Sequence, residues 1–251
     1  MPTLLSTCEI LLRTFADLLH LLAMLILLVK MNRTKSCSGI SLKSQLLYLS
    51  VYLFRYIDII YIVIYPVLLH SRRLVYNSIM KVLFVLLQSK IIYKVNYKYS
   101  YTYDRELDNL NIALPIGMAL VISMLINKSY GFHYKIIIEL FWSSSIVLES
   151  IAIIPQLLLL YKTGEVEVLT IEYIVLLGFY RAIYMAIWLV KYIITRENTL
   201  LLCGSIIQSI LYGELFWVYG RRVKSRIMEI KRIGKEGMRK EGIRFIRDAF
   251  V

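Results

Sequence analysis

Cysteine, histidine, proline and acidic side chains are all scarce in this chain of 251 residues. The three cysteines, Cys8, Cys37 and Cys203, are odd in number and far apart, which excludes a disulfide framework and a CxxC metal site. Cys8 and Cys203 sit in apolar runs and read as small core residues. Cys37 lies in a basic loop, where lipidation and an inert thiol are both open readings. With three histidines there is no metal-spaced cluster, and no Ser/His/Asp set, Cys/His set or glycine-rich phosphate loop is present. The chain reads as neither an enzyme nor the holder of a cofactor or metal.

Apolar residues are abundant instead. They make up 59% of the chain and its mean hydropathy is +0.65, which fits a polytopic membrane protein. The net charge of +13 resembles that of a nucleic-acid binder, but its location argues otherwise. From Arg221 to Asp248 there are 11 basic and 4 acidic residues, so about +7 sits in one tail, as expected of a cytosolic end. No nucleic-acid partner is expected.

A spanning helix needs about 20 mostly apolar residues. Seven segments qualify: Leu4–Val29, Ser44–Leu68, Leu74–Tyr93, Leu110–Ile126, Ile136–Tyr161, Thr170–Ile194 and Leu200–Tyr219. The first contains Glu9, Arg13, Asp17 and His20, so it reads as a span and not as a cleavable signal peptide. The fourth is the shortest and is interrupted by Pro115 and Gly117. The Tyr/Lys-rich connection from Lys94 to Asp108 reads as a solvated loop. Residues 1–221 then form a seven-helix membrane domain, and 222–251 a basic cytosolic tail. The basic loop Lys30–Lys43 falls on the tail's side, which sends the N-terminus to the lumen. The tail has two open readings. Ile227, Ile230 and Ile233 recur at helical spacing, while Gly234, Gly237 and Gly242 favour disorder.

A weak internal repeat is present. Gly39 precedes Arg55 by 16 residues, and Gly164 precedes Arg181 by 17, each leading from a loop into an apolar helix. Helices 1–3 therefore correspond to helices 5–7, with helix 4 joining them, as in the parallel repeats of sugar-transporter folds.

Charges inside the apolar runs carry the functional signal, because a charge at membrane depth needs a partner or water. Helix 2 has Arg55, Tyr56 and Asp58. Arg55 and Asp58 are i, i+3, so they either neutralise each other or offer a fork to a carboxylate and an acid to a cation. Helix 5 has Glu139 and Trp142, a carboxylate beside an indole that suits a cation. Glu149, ten residues further, reads as a counter-ion to Arg55 or Arg181. Helix 6 has Tyr180, Arg181, Tyr184, Trp188 and Lys191, an aromatic stripe flanked by cations. Helix 1 has Arg13 and Asp17 at i, i+4, and then His20, read either as a packing residue or as a proton sensor.

At these residues the chain resembles the KDEL receptor family, the ER lumen protein retaining receptors. The stretches that carry the resemblance are Arg13 to Ala23, Lys35 to Gln45, Phe54 to Asp58, Glu139 to Trp142, Leu148 to Leu157, Lys162 to Glu165, Tyr180 to Tyr184 and Leu211 to Phe216. The resemblance implies a seven-helix bundle of the SWEET/PQ-loop style. It implies a receptor of Golgi and endoplasmic reticulum membranes that binds a C-terminal Lys/His-Asp-Glu-Leu signal more tightly in acid. Such a receptor returns escaped lumenal proteins in retrograde vesicles through a COPI-type coat. Peptide-lining residues implied are Arg13, Arg55, Tyr56, Asp58, Glu139, Trp142, Tyr180, Arg181, Tyr184, Trp188 and Lys191. Glu149 would be the buried counter-ion and His20 the pH sensor. Recycling would involve Glu214, with Arg221, Arg222, Lys224 and Arg226 as sorting or anchoring residues.

This sequence departs from the family pattern at Lys191, where arginine is usual, at Ile187, where asparagine is usual, and at Glu214, where aspartate is usual. Its tail is longer and richer in arginine. The alternative is a sugar or amino-acid transporter of the same fold, against which the dense fixed charge of both signs argues. A purely structural membrane protein would leave those charges without purpose.

Overall fold

The computed structural model describes residues 2–57, 72–127, 134–163 and 171–249, and all regular structure among the described residues is helical, without a strand. Helix α1 covers Pro2–Thr34 and α2 covers Leu42–Arg55; α3 is Arg72–Tyr93 and α4 is Ala113–Ile126. Helices α5 (Tyr134–Ile151) and α6 (Ile154–Thr163) are separated by a two-residue turn. Helix α7 is Ile171–Thr195 and α8 is Thr199–Ala249.

Among the described residues, five segments are long and apolar enough to cross a membrane: Thr7–Thr34, Leu74–Lys98, Ile136–Thr163, Glu172–Thr195 and Thr199–Ser225. The expected second span, Ser44–Leu68, runs into residues 58–71, outside the described residues. The expected fourth is a helix of 14 residues, about 21 Å long. Pro115 does not break it, because it occupies the first turn, where its missing N–H is not needed.

Local chemistry explains the boundaries. Pro155 lacks an N–H and its ring collides with the carbonyl four residues back, and α5 ends at that residue, Ile151. Before α2, Gly39 takes φ 79°, a conformation open mainly to glycine. Ser41 then caps the helix, its Oγ accepting from the Ser44 N–H at 3.1 Å. In α8 the glycines Gly234, Gly237 and Gly242 do not interrupt the helix, which runs unbroken through 51 residues.

A polar knot ties the two halves together at one end. Gln156 of α6 accepts from the Ser41 N–H (2.9 Å), donates to the Gly39 carbonyl (2.7 Å) and gives its own N–H to Ser44 Oγ (2.9 Å). Asp108 accepts from Ser41 Oγ (2.9 Å), the Lys43 N–H (3.1 Å) and the Tyr103 hydroxyl (2.7 Å). The connection from Lys94 to Asp108 is therefore not the solvated loop its composition suggests. Val95, Tyr99, Tyr103 and Asp108 are buried, and the segment winds into a π turn (Lys94–Lys98) and a 3-10 turn (Ser100–Thr102). Burial and donation to Asp108 push the Tyr103 hydroxyl well above its ordinary pKa. Gln156→Leu should lower stability by about 3 kcal/mol, since it orphans buried backbone groups at Ser41 and Gly39. A thermal melt of the detergent-solubilised protein tests this; an unchanged midpoint would mean that water replaces the amide.

The cysteines reverse their expected places. Cys8 and Cys203 are exposed on the apolar outer surface, and Cys37 is buried. In a membrane protein an apolar run has a lipid face as well as a core face, so hydrophobicity alone does not imply burial. The Cys37 thiol donates to the Tyr99 carbonyl at 3.1 Å, and burial pushes its pKa up, both of which disfavour acylation. Outward apolar side chains such as Leu11, Phe15, Leu18, Leu22, Leu25 and Val29 form the lipid face of α1. Helices α7 and α8 approach closely at Gly178, where an added Cβ would collide with the Phe216 ring.

Candidate ligand cavity

Helices α1 and α7 run antiparallel and meet turn by turn. Glu9 meets Lys191 at 2.9 Å, and the Arg13 guanidinium lies 5.0 Å from the centre of the Trp188 ring. The Tyr184 hydroxyl donates to Asp17 at 2.5 Å, and His20 stacks on Tyr180 with ring centres 4.4 Å apart. Glu9 to His20 spans 11 residues, about 16 Å of helix. The aromatic stripe read from the sequence is thus one wall of a groove whose other edge is the polar face of α1.

Opposite this wall, α2 and α5 also run antiparallel. Phe54 packs on Phe141 (5.1 Å), and Arg55 Nε donates to Ser145 Oγ (3.1 Å). Between the walls lies a cavity of about 440 Å³, within the roughly 300–1,000 Å³ of small-ligand sites. Arg13, Arg55, Tyr56, Trp142, Glu149, Tyr180, Arg181, Tyr184, Trp188 and His20 all line it.

Its deepest charges are closely matched. Glu149 receives Arg55 Nη2 at 2.6 Å on one oxygen and Arg181 Nη2 at 2.8 Å on the other. Arg181 also donates to Gln208 Oε1 at 2.6 Å and lies over the Tyr180 ring at 4.5 Å. Gln208 Nε2 is held in turn by the Glu149 carbonyl at 3.0 Å. Arg55 therefore pairs across to α5. Asp58, its possible partner on α2, is outside the described residues.

Other expected residues fall elsewhere. Glu139 is in the second turn of α5, a turn outward from Trp142, and is not among the lining residues. Lys191 is likewise outside the lining, its Nζ 5.4 Å from the Trp188 ring centre. Arg13 does not pair with Asp17; its Nη2 lies 2.8 Å from Glu9 instead. Spacing along a helix gives the face a side chain occupies, but not which of two carboxylates on that face a cation chooses.

Sequence reasoning missed Tyr52, Tyr76, Asn77, Lys81 and Gln208 and did not place Asp17 at the ligand. A usable signal existed for three of them. Asn77 and Lys81 are i, i+4 in an apolar helix, and Gln208 is a lone amide in another. Lys81 Nζ lies 5.5 Å from the Tyr56 ring centre, so α3 adds a cation to the cavity.

Residues 36–191 match the family described as ER lumen protein retaining receptor. The chain is 36% identical over 212 residues to the ER lumen protein-retaining receptor of Drosophila melanogaster, covering 84% of this chain and 93% of that protein. It is 38% identical over 214 residues to ER lumen protein-retaining receptor 3 of Mus musculus, covering 84% and 92%. The receptor of Entamoeba histolytica is 38% identical over 218 residues, covering 86% and 94%. The chain belongs to the ER lumen protein retaining receptor family. This is a family of receptors, not of enzymes. Membership and the apolar helices together fit a multi-pass protein of the ER and Golgi membranes.

Within this receptor family member, the recycling and sorting candidates gather in the middle of α8. Glu214 accepts from the Tyr161 hydroxyl, and Arg222 donates to the Tyr161 carbonyl at 3.2 Å. Arg221 lies 4.9 Å from the Trp217 ring centre, and Lys224 is exposed. Arg226 lies on the same helix; its side chain is outside the described residues.

Proposed function

We propose that this protein binds the C-terminal Lys/His-Asp-Glu-Leu type signal of escaped ER lumenal proteins and returns them from the Golgi in retrograde vesicles. The observation that carries this reading is the cavity between α1, α2, α5 and α7. Cations from four helices, Arg13, Arg55, Lys81 and Arg181, line it together with the carboxylates of Asp17 and Glu149. A peptide that ends in a free carboxylate, carries two more and is preceded by a cation matches that mixture. Guanidinium forks suit the carboxylates, and Asp58 or Glu139 near Trp142 suits the cation.

His20 is the group we assign to pH. Its Nε2 lies 3.3 Å from the Tyr52 hydroxyl of α2, Phe84 of α3 packs at 4.9 Å, and Tyr180 of α7 stacks on its other side. Arg181 and Glu149 are the charges acting on it. Tighter binding in the acidic Golgi requires that the complex take up a proton, and His20 is the group suited to do so between pH 5 and 8.

A seven-span bundle of two three-helix repeats, SWEET/PQ-loop-like, is the architecture we favour. Support comes from the helix pairs: α1 with α7 and α2 with α5 are both antiparallel, as exchanging the halves demands. The N-terminus would be lumenal, and residues 222–251 would reach a COPI-type coat from the cytosol, with Lys224 the nearest lysine to a coat signal.

The test is binding of a labelled peptide ending in Lys-Asp-Glu-Leu at about pH 5.5 and about pH 7.4, with its C-terminal amide as control. Binding at low pH that the amide abolishes is the expected result, and His20→Ala should remove most of the pH dependence. No binding by folded protein, together with solute flux in liposomes, would favour a transporter instead.

A further inference from the structure

Glu9 is not itself a lining residue, but it contacts Arg13, which lines the cavity one helical turn further along α1, and it has no part in the reading above. One of its oxygens, Oε1, contacts two cations at once, Arg13 Nη2 at 2.8 Å and Lys191 Nζ at 2.9 Å. Both cations also lie near the same indole, 5.0 and 5.4 Å from the centre of the Trp188 ring. Around Trp188 the chain has thus built a carboxylate site with two positive donors and an aromatic platform, and has filled it with a side chain of its own. The site is only partly screened: the side chains of Glu9, Arg13 and Lys191 are 22%, 30% and 32% exposed. Glu9 is therefore held by charge and not by packing. Its helix partner Arg13 reaches it across one turn, while Lys191 belongs to another helix, so a change in the spacing of α1 and α7 would release one contact and keep the other.

We propose that Glu9 is an intramolecular occupant of the carboxylate position beside Arg13, which an incoming ligand carboxylate must displace. This rests on the reading of the cavity as a site for an acidic peptide. In the empty receptor, Glu9 keeps two like charges from facing each other unpaired. During binding it competes with the ligand for them, so affinity is lower than the cations alone would give and neutral ligands gain nothing. Once displaced, the partly exposed Glu9 carboxylate can be solvated.

The experiment compares wild type, Glu9→Gln and Glu9→Ala as full-length detergent-solubilised proteins, using the labelled Lys-Asp-Glu-Leu peptide at about pH 5.5. Removing the competitor should tighten binding roughly two- to fivefold, the effect of one partly exposed ion pair. Without ligand, both variants should melt at a lower temperature than wild type, and saturating peptide should raise their melting temperature by more than it raises that of wild type. A merely structural Glu9 would do the opposite to affinity: both variants would bind equally or more weakly. If wild type binds the peptide and neither variant binds it more tightly, the proposal is overturned while the receptor reading stands. If none of the three binds it at any pH, the receptor reading falls and takes this proposal with it. Binding by the variants alone would support both.

Discussion

Glu149→Gln should lower the melting temperature of the solubilised protein by about 10 °C and abolish peptide binding. Glutamine keeps the volume of glutamate, so no cavity opens. What disappears is the single carboxylate facing Arg55 at 2.6 Å and Arg181 at 2.8 Å. Two guanidiniums then share a cavity wall with no acid between them. Removing one member of a buried pair costs about 3–5 kcal/mol, because the remaining charge stays desolvated. In a chain of this length each kcal/mol moves the midpoint by about 2–4 °C. Pairing Glu149→Gln with Arg55→Gln removes one of the two stranded cations and should recover part of the loss. A non-additive recovery of that kind is the signature of a coupled network. An unchanged midpoint in the single variant would mean that water reaches both arginines and that the site is wet in the empty receptor.

Much of this network was readable before the structure, for one physical reason. A charge inside an apolar run must find a partner, so Arg55, Glu149 and Arg181 declared themselves as members of one polar interior. The identity of each partner was not readable. Arg55 has an acid three positions on in the sequence, Asp58, which lies outside the described residues, and its partner among the described residues is a carboxylate 94 positions away on α5. Pairing across helices depends on depth and crossing angle, which periodicity does not encode. The same limit applies to Glu139, which shares a helix face with Trp142 by spacing but is not among the cavity's lining residues. Composition misled at the connection from Lys94 to Asp108, because Tyr99 and Tyr103 bury their rings while Tyr97 and Tyr101 stay exposed, and composition does not tell which tyrosine turns inward. Glu9 carried no motif at all. Its two cations meet only because α1 and α7 run antiparallel, with residues 9 and 191 level with each other.

The two arginines that share Glu149 should separate cleanly by function. Arg181 is the more tightly held: its side chain is 9% exposed, one arm is held by Glu149, the other by Gln208 at 2.6 Å, and the Tyr180 and Tyr212 rings lie 4.5 and 5.9 Å from its guanidinium. Arg55 is 25% exposed, shares Glu149 and, among the described residues, otherwise donates a neutral bond to Ser145 at 3.1 Å. A ligand carboxylate can recruit Arg55 without stranding Glu149, because Arg181 still neutralises it; recruiting Arg181 would dismantle the Gln208 contact as well. Arg55→Ala should therefore weaken peptide binding by about 100-fold, the scale of truncating one partner of a buried charged pair, with a melting temperature within a few degrees of wild type. Arg55→Lys keeps the charge but not the fork and should fall between. Arg181→Ala should instead cost more stability than Arg55→Ala, since it takes the charged donor from Gln208 Oε1 as well as one of the two cations on Glu149, which keeps only Arg55. Peptide titrations and thermal melts on the three variants give both readouts from the same samples. If Arg181→Ala melted normally yet failed to bind, while Arg55→Ala bound well, the roles would be exchanged and the ligand carboxylate would sit on the α7 side of the cavity.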